Sequence, residues 1–385
     1  MPAEGVLDFL HHSPILRGFC SPHVAQRHNP MMRCPVKQLV LLLVISILCV
    51  VRPTSAQTQT VRVVVHDSFN VSEAVLAQFE ADSGLIIEIL RLGDTGILVN
   101  QSILSRENPL GDVLYGIDNT FLTRALEADL FMPYESPALA VVDPAFLLDP
   151  EARVTPINYG DVCLNVDVAY FEENDLALPQ SLADLSAPEY AGLLAVQNPA
   201  TSSPGLAFLL ATIVVFGEED DDYDYLDYWT DLIANDVIIT DDWTTAYYSE
   251  FSGSAGSEGD RPLVVSYASS PSAEVFFADP PVETAPTSAI VAPDTCFRQV
   301  EFAGVLANAS NPEGAQQFID FLLSDAFQAD MPLQMFVFPV IPTVPLPDVF
   351  AEYAAIPDSP ILMPIAAIDA NREQWLSAWT ETALR

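Results

Sequence analysis

An α/β fold of two units, joined by two extended crossings of the chain, is what this sequence predicts. Three observations point there. The first patterned stretch reads strand, loop, helix, strand, which is how an α/β sheet opens. Two extended segments, one around Tyr159 and one around Phe297, lie far apart with a full series of strands and helices between them. Finally, 385 residues of which 50% are apolar give material for a sizeable core in each unit, and no internal repeat is present.

Taken in order, Thr60 to Val65 is Val-rich with polar flanks, a strand that runs into His66-Asp67-Ser68-Phe69 at its carboxyl end. Val71, Val75, Leu76 and Phe79 then recur at helical period and Gly84 closes that helix. Leu85 to Leu90 is the second strand, Val99 to Arg106 a short helix, and Asp112 to Leu114 a strand ending in Tyr115-Gly116-Ile117-Asp118-Asn119. Ligands of such sheets bind at the carboxyl ends of strands, so Asp67 and Asp118 share one rim. Thr120 to Leu130 reads as helix, and Pro133 to Pro156 has no clear period. Ile157 to Asp167 is the first crossing and Leu193 to Gln197 a strand; the acidic aromatic run from Glu218 starts a solvated helix whose Tyr225, Tyr228 and Trp229 face inward. Val237 to Ile239 and Leu263 to Tyr267 are strands around a Gly/Ser loop at Ser252 to Asp260, and Phe297 to Val305 is the second crossing. Helices from Pro312 and from Asp325 follow, and Asn371 to Leu384 closes the chain with Trp375 and Trp379 four apart on one face.

Lys37, the apolar run Leu39 to Val51 and then Arg52-Pro53-Thr54-Ser55-Ala56 have the order of a secretory signal, so export is expected, with residues 1–56 removed near Ala56. That removal takes two acids and five basic residues, leaving 51 acids, nine arginines, no lysine and a net charge of −42. Such a surface repels nucleic acid and anionic lipid and attracts small cations. Cys163 and Cys296 are then the remaining cysteines, an even pair for an oxidising compartment. They stand at the two crossings, where a bridge between them would staple the hinge.

Two stretches carry chemistry. In Pro199-Ala200-Thr201-Ser202-Ser203-Pro204-Gly205, ahead of the apolar run Leu206 to Phe216, Ser203 stands as expected N-cap and Pro204 as first helical residue. The unpaired first-turn amides, with the hydroxyls of Ser202 and Ser203, suit a phosphate or carboxylate, although a plain capped helix fits the same residues. Trp243 and Tyr247, four apart on a helix expected from Asp241, share a face, and Tyr267 ends a neighbouring strand. Aromatic faces attract cations, so these rings, with Asp118 and Asp67 across a cleft, would hold an aromatic cation; a Trp–Tyr pair at that spacing is also an ordinary core face.

Asp67-Ser68-Phe69, Gly116-Ile117-Asp118-Asn119, the run Pro199 to Gly205, Trp243 with Ala246-Tyr247, Ser266-Tyr267 with Ser270-Pro271, and Gln299-Val300-Glu301 occur in this order, and together they resemble the thiamine-binding proteins of ABC importers. The likeness runs from Thr60 to Arg385 and includes Phe338-Pro339-Val340. It implies a type II periplasmic-binding-protein-like fold with a ligand cleft between two α/β lobes, residues 57–160 plus 298–385 forming one and residues 161–297 the other. Trp243 and Tyr267 would flank the thiamine rings, Asp118 would bond the aminopyrimidine, and Ser202 and Ser203 would hold the phosphate or hydroxyethyl end. Tyr247, Asp67, Ser68, His66 and Phe336 complete the expected ligand set. The pattern departs from the family at His66, where Tyr is usual, at Phe336, where Trp is usual, and at Ala273, where a further Tyr occurs. His66 is the one histidine after residue 56, either a ligand contact, a pH-sensitive group or an ordinary loop residue.

The expected partners are a small-molecule ligand, thiamine or its phosphates, and a membrane permease; no cofactor or resident metal is expected, and a monomer is. Two other readings use the same residues. Tyr247-Tyr248 resembles the paired tyrosines of ferric-iron receptors, and polyamine receptors share the fold. A thiaminase-like enzyme would use Cys163 as nucleophile, which requires a free thiolate.

Overall fold

The computed structural model describes residues 59–218 and 222–385; the expected signal region, 1–56, lies outside the described residues. Thr58–Arg385 form one compact unit. Its strands are β1 (Thr60–Val65), β2 (Ile86–Arg91), β3 (Val113–Asp118), β4 (Thr155–Asp167), β5 (Leu194–Gln197), β6 (Ile238–Thr240), β7 (Leu263–Tyr267), β8 (Thr287–Ile290), β9 (Phe297–Val305) and β10 (Phe338–Pro339). They are hydrogen-bonded in the order β2-β1-β3-β9-β4-β7-β5-β6, with β8 and β10 also pairing β4.

The order explains the two crossings. β1, β2 and β3 are mutually parallel, and so are β5, β6 and β7, whereas β9 runs antiparallel to β3 and to β4, and β4 antiparallel to β7. The amino-terminal half of β4 pairs β9 from Thr155↔Ala303 to Val162↔Phe297, while its carboxyl half pairs β7 from Val162↔Tyr267 to Val166↔Leu263. One long strand therefore belongs to both halves of the sheet. Its residues are almost all buried, polar Asn158, Asp161 and Asn165 among them, as a strand covered on both faces requires.

Cys163, on β4, is bonded to Cys296, the residue before β9, across 133 positions of sequence. The bridge read from the sequence is formed. Closing a loop of that length removes about 5 kcal/mol of denatured-chain entropy in the simple chain model.

The apolar run after the Thr-Ser-Ser stretch becomes the helix Ser203–Phe216, buried at every position from Ser203 to Ile213. A helix apolar all round must lie inside, and this one does. The next helix, Tyr225–Ala234, is capped by Asp224 and turns Tyr225, Tyr228 and Trp229 inward as expected. The closing helix, Ile365–Ala383, starts six residues before the expected Asn371; its Trp379 meets Trp229 edge-on at 5.4 Å, and Trp375 Nε1 donates to Glu218 Oε2 at 2.7 Å.

Three local expectations need correction. The N-cap of Ser203–Phe216 is Ser202, with extended φ −119° and ψ 135°; Ser203 is already helical, because Thr201 and Ser202 make the turn off Asn198. The helix expected over Val99 to Arg106 runs Thr95–Leu104, since Asp94 Oδ1 accepts from Thr95 N at 2.6 Å and caps it earlier. Trp243 opens a helix of only three residues, Trp243–Thr245, which widens into a π-turn, Ala246–Glu250. The Pro-rich passage carries two short 3-10 turns, Pro137–Val141 and Pro144–Phe146.

Candidate functional site

Because β1 and β3 are parallel neighbours, His66 and Asp118 come out of the sheet at the same edge. Asp118 is buried; its Oδ1 accepts from Thr120 N at 3.0 Å, Thr120 Oγ1 at 2.7 Å and Phe121 N at 3.3 Å, and its Oδ2 accepts from Gln299 Nε2. Burial pushes its carboxyl up to about 6, although the Thr120 bonds and the Ser203 hydroxyl favour the charged form. The His66 ring turns its Cδ2 edge toward Gly116, where an added Cβ would come 2.1 Å from that atom and where φ is +102°. Glycine is required on both counts.

The imidazole Nε2 of His66 stands 2.9 Å from Glu301 Oε1. Burial acts to lower the imidazole, but the Glu301 carboxylate, with Asp94 and Asp67, outweighs it and holds His66 above its ordinary value. Burial likewise acts to raise Glu301, and the His66 charge with the Asn158 bond holds it below the usual carboxylate range. Asn158 Nδ2 donates both to Glu301 Oε2 and to Tyr115 Oη. Asp94, itself buried and pushed up by that burial, acts with the half-buried Glu301 and the exposed Asp67 on the one imidazole.

Facing it is a wall of rings and hydroxyls. Trp243 is stacked on Tyr247 at 5.0 Å and 20°, and its Nε1 donates to Ser266 Oγ at 3.0 Å, which fixes the indole plane. Tyr248, 49% exposed, meets Trp243 edge-on at 5.5 Å. The Tyr267 ring covers Gly160, where a Cβ would come 2.9 Å from Tyr267 Cδ1, and its hydroxyl donates to Gln299 Oε1 at 2.8 Å. Gln299 thereby ties Tyr267 on one side to Asp118 on the other. Ser203 and Pro204, at the head of Ser203–Phe216, and Phe336, at φ 52°, close the enclosure. A cavity of about 100 Å³ lies between the walls.

The walls also touch directly. Gly96 N donates to Thr201 O at 3.1 Å, and Trp243 N donates to Asp94 Oδ2 at 3.3 Å. A side chain at Gly96 would put its Cβ 2.6 Å from Thr201 O, so glycine allows that approach.

Residues 108–356 match the family model described as bacterial extracellular solute-binding protein. The chain belongs to that family. This solute-binding protein is 29% identical over 308 residues to the thiamine-binding periplasmic protein of Escherichia coli K12, covering 80% of this chain and 87% of that one. A solved structure named periplasmic thiamin binding protein aligns with TM-score 0.74 at 29% identity, over 86% of this chain and 98% of that chain. Iron uptake protein A1 of Synechocystis sp. PCC 6803 is 24% identical over 308 residues, 76% of this chain and 79% of that one. The mixed α/β periplasmic-binding fold is thus established, and with it a receptor that works outside the cytoplasm and is not an enzyme.

Of the residues singled out in the sequence, His66, Ser68, Asp118, Ser203, Trp243, Tyr247, Tyr267 and Phe336 line the cavity of this solute-binding protein. Asp67 and Ser202 do not. Asp67 is exposed, with its amide bonded to Gly93 O at 3.0 Å, and Ser202 is fully buried beside Asp94. Tyr247 lines the cavity from behind Trp243, almost fully buried, with its ring against Phe251. Burial pushes its hydroxyl well above 10, with Glu274 adding to the effect, so a phenolate for a hard metal is disfavoured there. Cys163 sits in the disulfide and has no thiolate to act as a nucleophile.

Asp94, Asn158, Gln299 and Glu301 were missed as site residues. The Gln299-Val300-Glu301 alternation puts both polar side chains on one face of β9, a signal that was present. Asn158 and Gly160 alternate in the same way on β4.

Proposed function

We propose that this solute receptor closes on thiamine, or a phosphate ester of it, and presents it to the permease of an ABC importer. The observation that carries the reading is the juxtaposition of the Trp243 face, backed by Tyr247, with the buried carboxylate of Asp118 across one cavity. A flat organic cation satisfies both walls. Its ring lies on the indole, its charge is balanced by the carboxylates, and its amino and hydroxyl groups find acceptors in Asp118 and Ser203. The similarity to thiamine-binding proteins at 26–29% identity supports the same ligand class.

In this reading residues 57–160 with 298–385 form one lobe and residues 161–297 the other, acting as a monomer. Ligand shifts the population toward the closed state because only there do both walls contact it. Calorimetric titration with thiamine, thiamine phosphates, spermidine and ferric citrate tests the proposal. Tight binding of thiamine or its esters alone is expected; tight binding of ferric ion or spermidine with none of thiamine would overturn it.

A further inference from the structure

Of the nine arginines that face 51 acids in residues 57–385, three line one groove that shares no residue with the cleft: Arg124, Arg372 and Arg385. Arg124 is carried by the helix Leu122–Glu127 and Arg372 by the closing helix, and Asn100, Ser377 and Thr380 add polar side chains to the same groove. A third of the cationic side chains thus converge where the rest of the surface is acidic.

Their charge is not matched by what surrounds them. Arg124 Nη1 and Arg372 Nη1 both donate to one atom, Glu373 Oε1, at 3.0 and 2.9 Å, and Glu373 is 78% exposed on its side chain. Arg385 has Glu381 at 3.4 Å. Three guanidinium groups therefore make their ion pairs with two solvent-facing carboxylates, and the buried Asp118 adds its field at Arg372 without a hydrogen bond to it. The Nε atoms of Arg124 and Arg372 are buried with no hydrogen-bond partner among the described residues. Arg372 is only 5% exposed and lies over the Phe121 ring at 4.6 Å. A buried cation beside a like charge, holding half a share of one carboxylate, is under-compensated.

A tetrahedral oxyanion supplies what is lacking, because its several acceptor oxygens meet more than one guanidinium fork at once. The overall acidic field disfavours anions elsewhere on this surface, which makes a local convergence of arginines selective for place as well as for charge. We propose that this groove binds a small phosphate-type oxyanion through Arg124, Arg372 and Arg385. The inference stands independently of the identity of the ligand in the cleft.

Titration of the full chain with sodium pyrophosphate, against sodium chloride at equal ionic strength, is the test. A saturable pyrophosphate response is expected in the wild type, weakened about tenfold or more in the double variant Arg124→Gln, Arg385→Gln. Those two side chains are partly exposed, so the fold survives their loss, and Ser203→Ala serves as the control for anion binding in the cleft. A response no larger than that to chloride overturns the proposal. So does one that the double variant retains, or one that Ser203→Ala abolishes.

Discussion

The two walls of the cleft are made in different ways. The wall from β1, β3, β4 and β9 is a connected set of charges: His66 paired with Glu301, Asn158 bonded to Glu301 and Tyr115, Asp118 held by Gln299 and Thr120. Removing one member leaves another buried without its partner. The opposite wall is a layer of rings on a helix head, where Trp243 rests on Tyr247 and is aimed by one hydrogen bond to Ser266. There a lost side chain leaves space rather than an unpaired charge. The comparison teaches that the same cavity has one wall coupled to folding stability and one free to set affinity.

Breaking that contrast starts with His66→Ala, which strands Glu301 in the interior. A loss of about 3–5 kcal/mol in stability is expected by urea unfolding; a loss under about 1 kcal/mol, the size of an exposed pair's contribution, would show that the charged wall is not coupled to folding. Trp243→Ala should do the reverse, weakening thiamine binding by about 100-fold in calorimetry, since ring burial and cation attraction vanish together, while stability falls less than in His66→Ala.

Acid sharpens the comparison further. Asp118 titrates at about 6, so a cation that needs its charged form should bind progressively more weakly below that pH, approaching roughly tenfold per unit. The signs for stability differ group by group. The raised values of Asp118 and His66 give contributions present at low pH that are lost as pH rises through their folded values, whereas Glu301, held low, loses its contribution as pH falls. Asp67, Asp94, Glu301 and the Tyr115 ring surround His66, and all but Tyr115 raise it. Unliganded protein should therefore lose stability from neutral to alkaline pH, with a shallower slope in His66→Gln; equal slopes would remove His66 from the account.

Smaller effects follow. Gly160→Ala forces the Tyr267 ring away from its seat, which should cost about tenfold in thiamine affinity, the lower end of overpacking costs. Ser203→Ala should weaken thiamine phosphates about fivefold more than thiamine, the worth of one hydrogen bond. Equal weakening of all forms would take the phosphate away from the helix head.

The ring wall was legible in the sequence because it is local: Trp243 with Tyr247 and the Thr-Ser-Ser-Pro-Gly head lie within short windows whose spacing reveals a shared face. Even there, the one-residue misplacement of the cap and the burial of Ser202 followed from a turn that spacing does not encode. The charged wall was half legible. His66 and Asp118 stand at strand ends, where ligands are expected, but their partners Glu301 and Gln299 come from β9, roughly 200 positions away, and Asn158, which holds Glu301, comes from β4, all joined only by sheet pairing. The two crossings could be located from their extended character and the cysteine pair, whereas the short β8 and β10 strands, which are paired only through β4, left no pattern of their own.

Thiamine titration of the wild type, Asp118→Asn and Trp243→Ala by calorimetry puts the central claim to its most direct trial. If one guest is held between the two walls, the wild type binds and each variant alone loses at least about tenfold while remaining folded. Undiminished binding in either variant would contradict a site built from both walls.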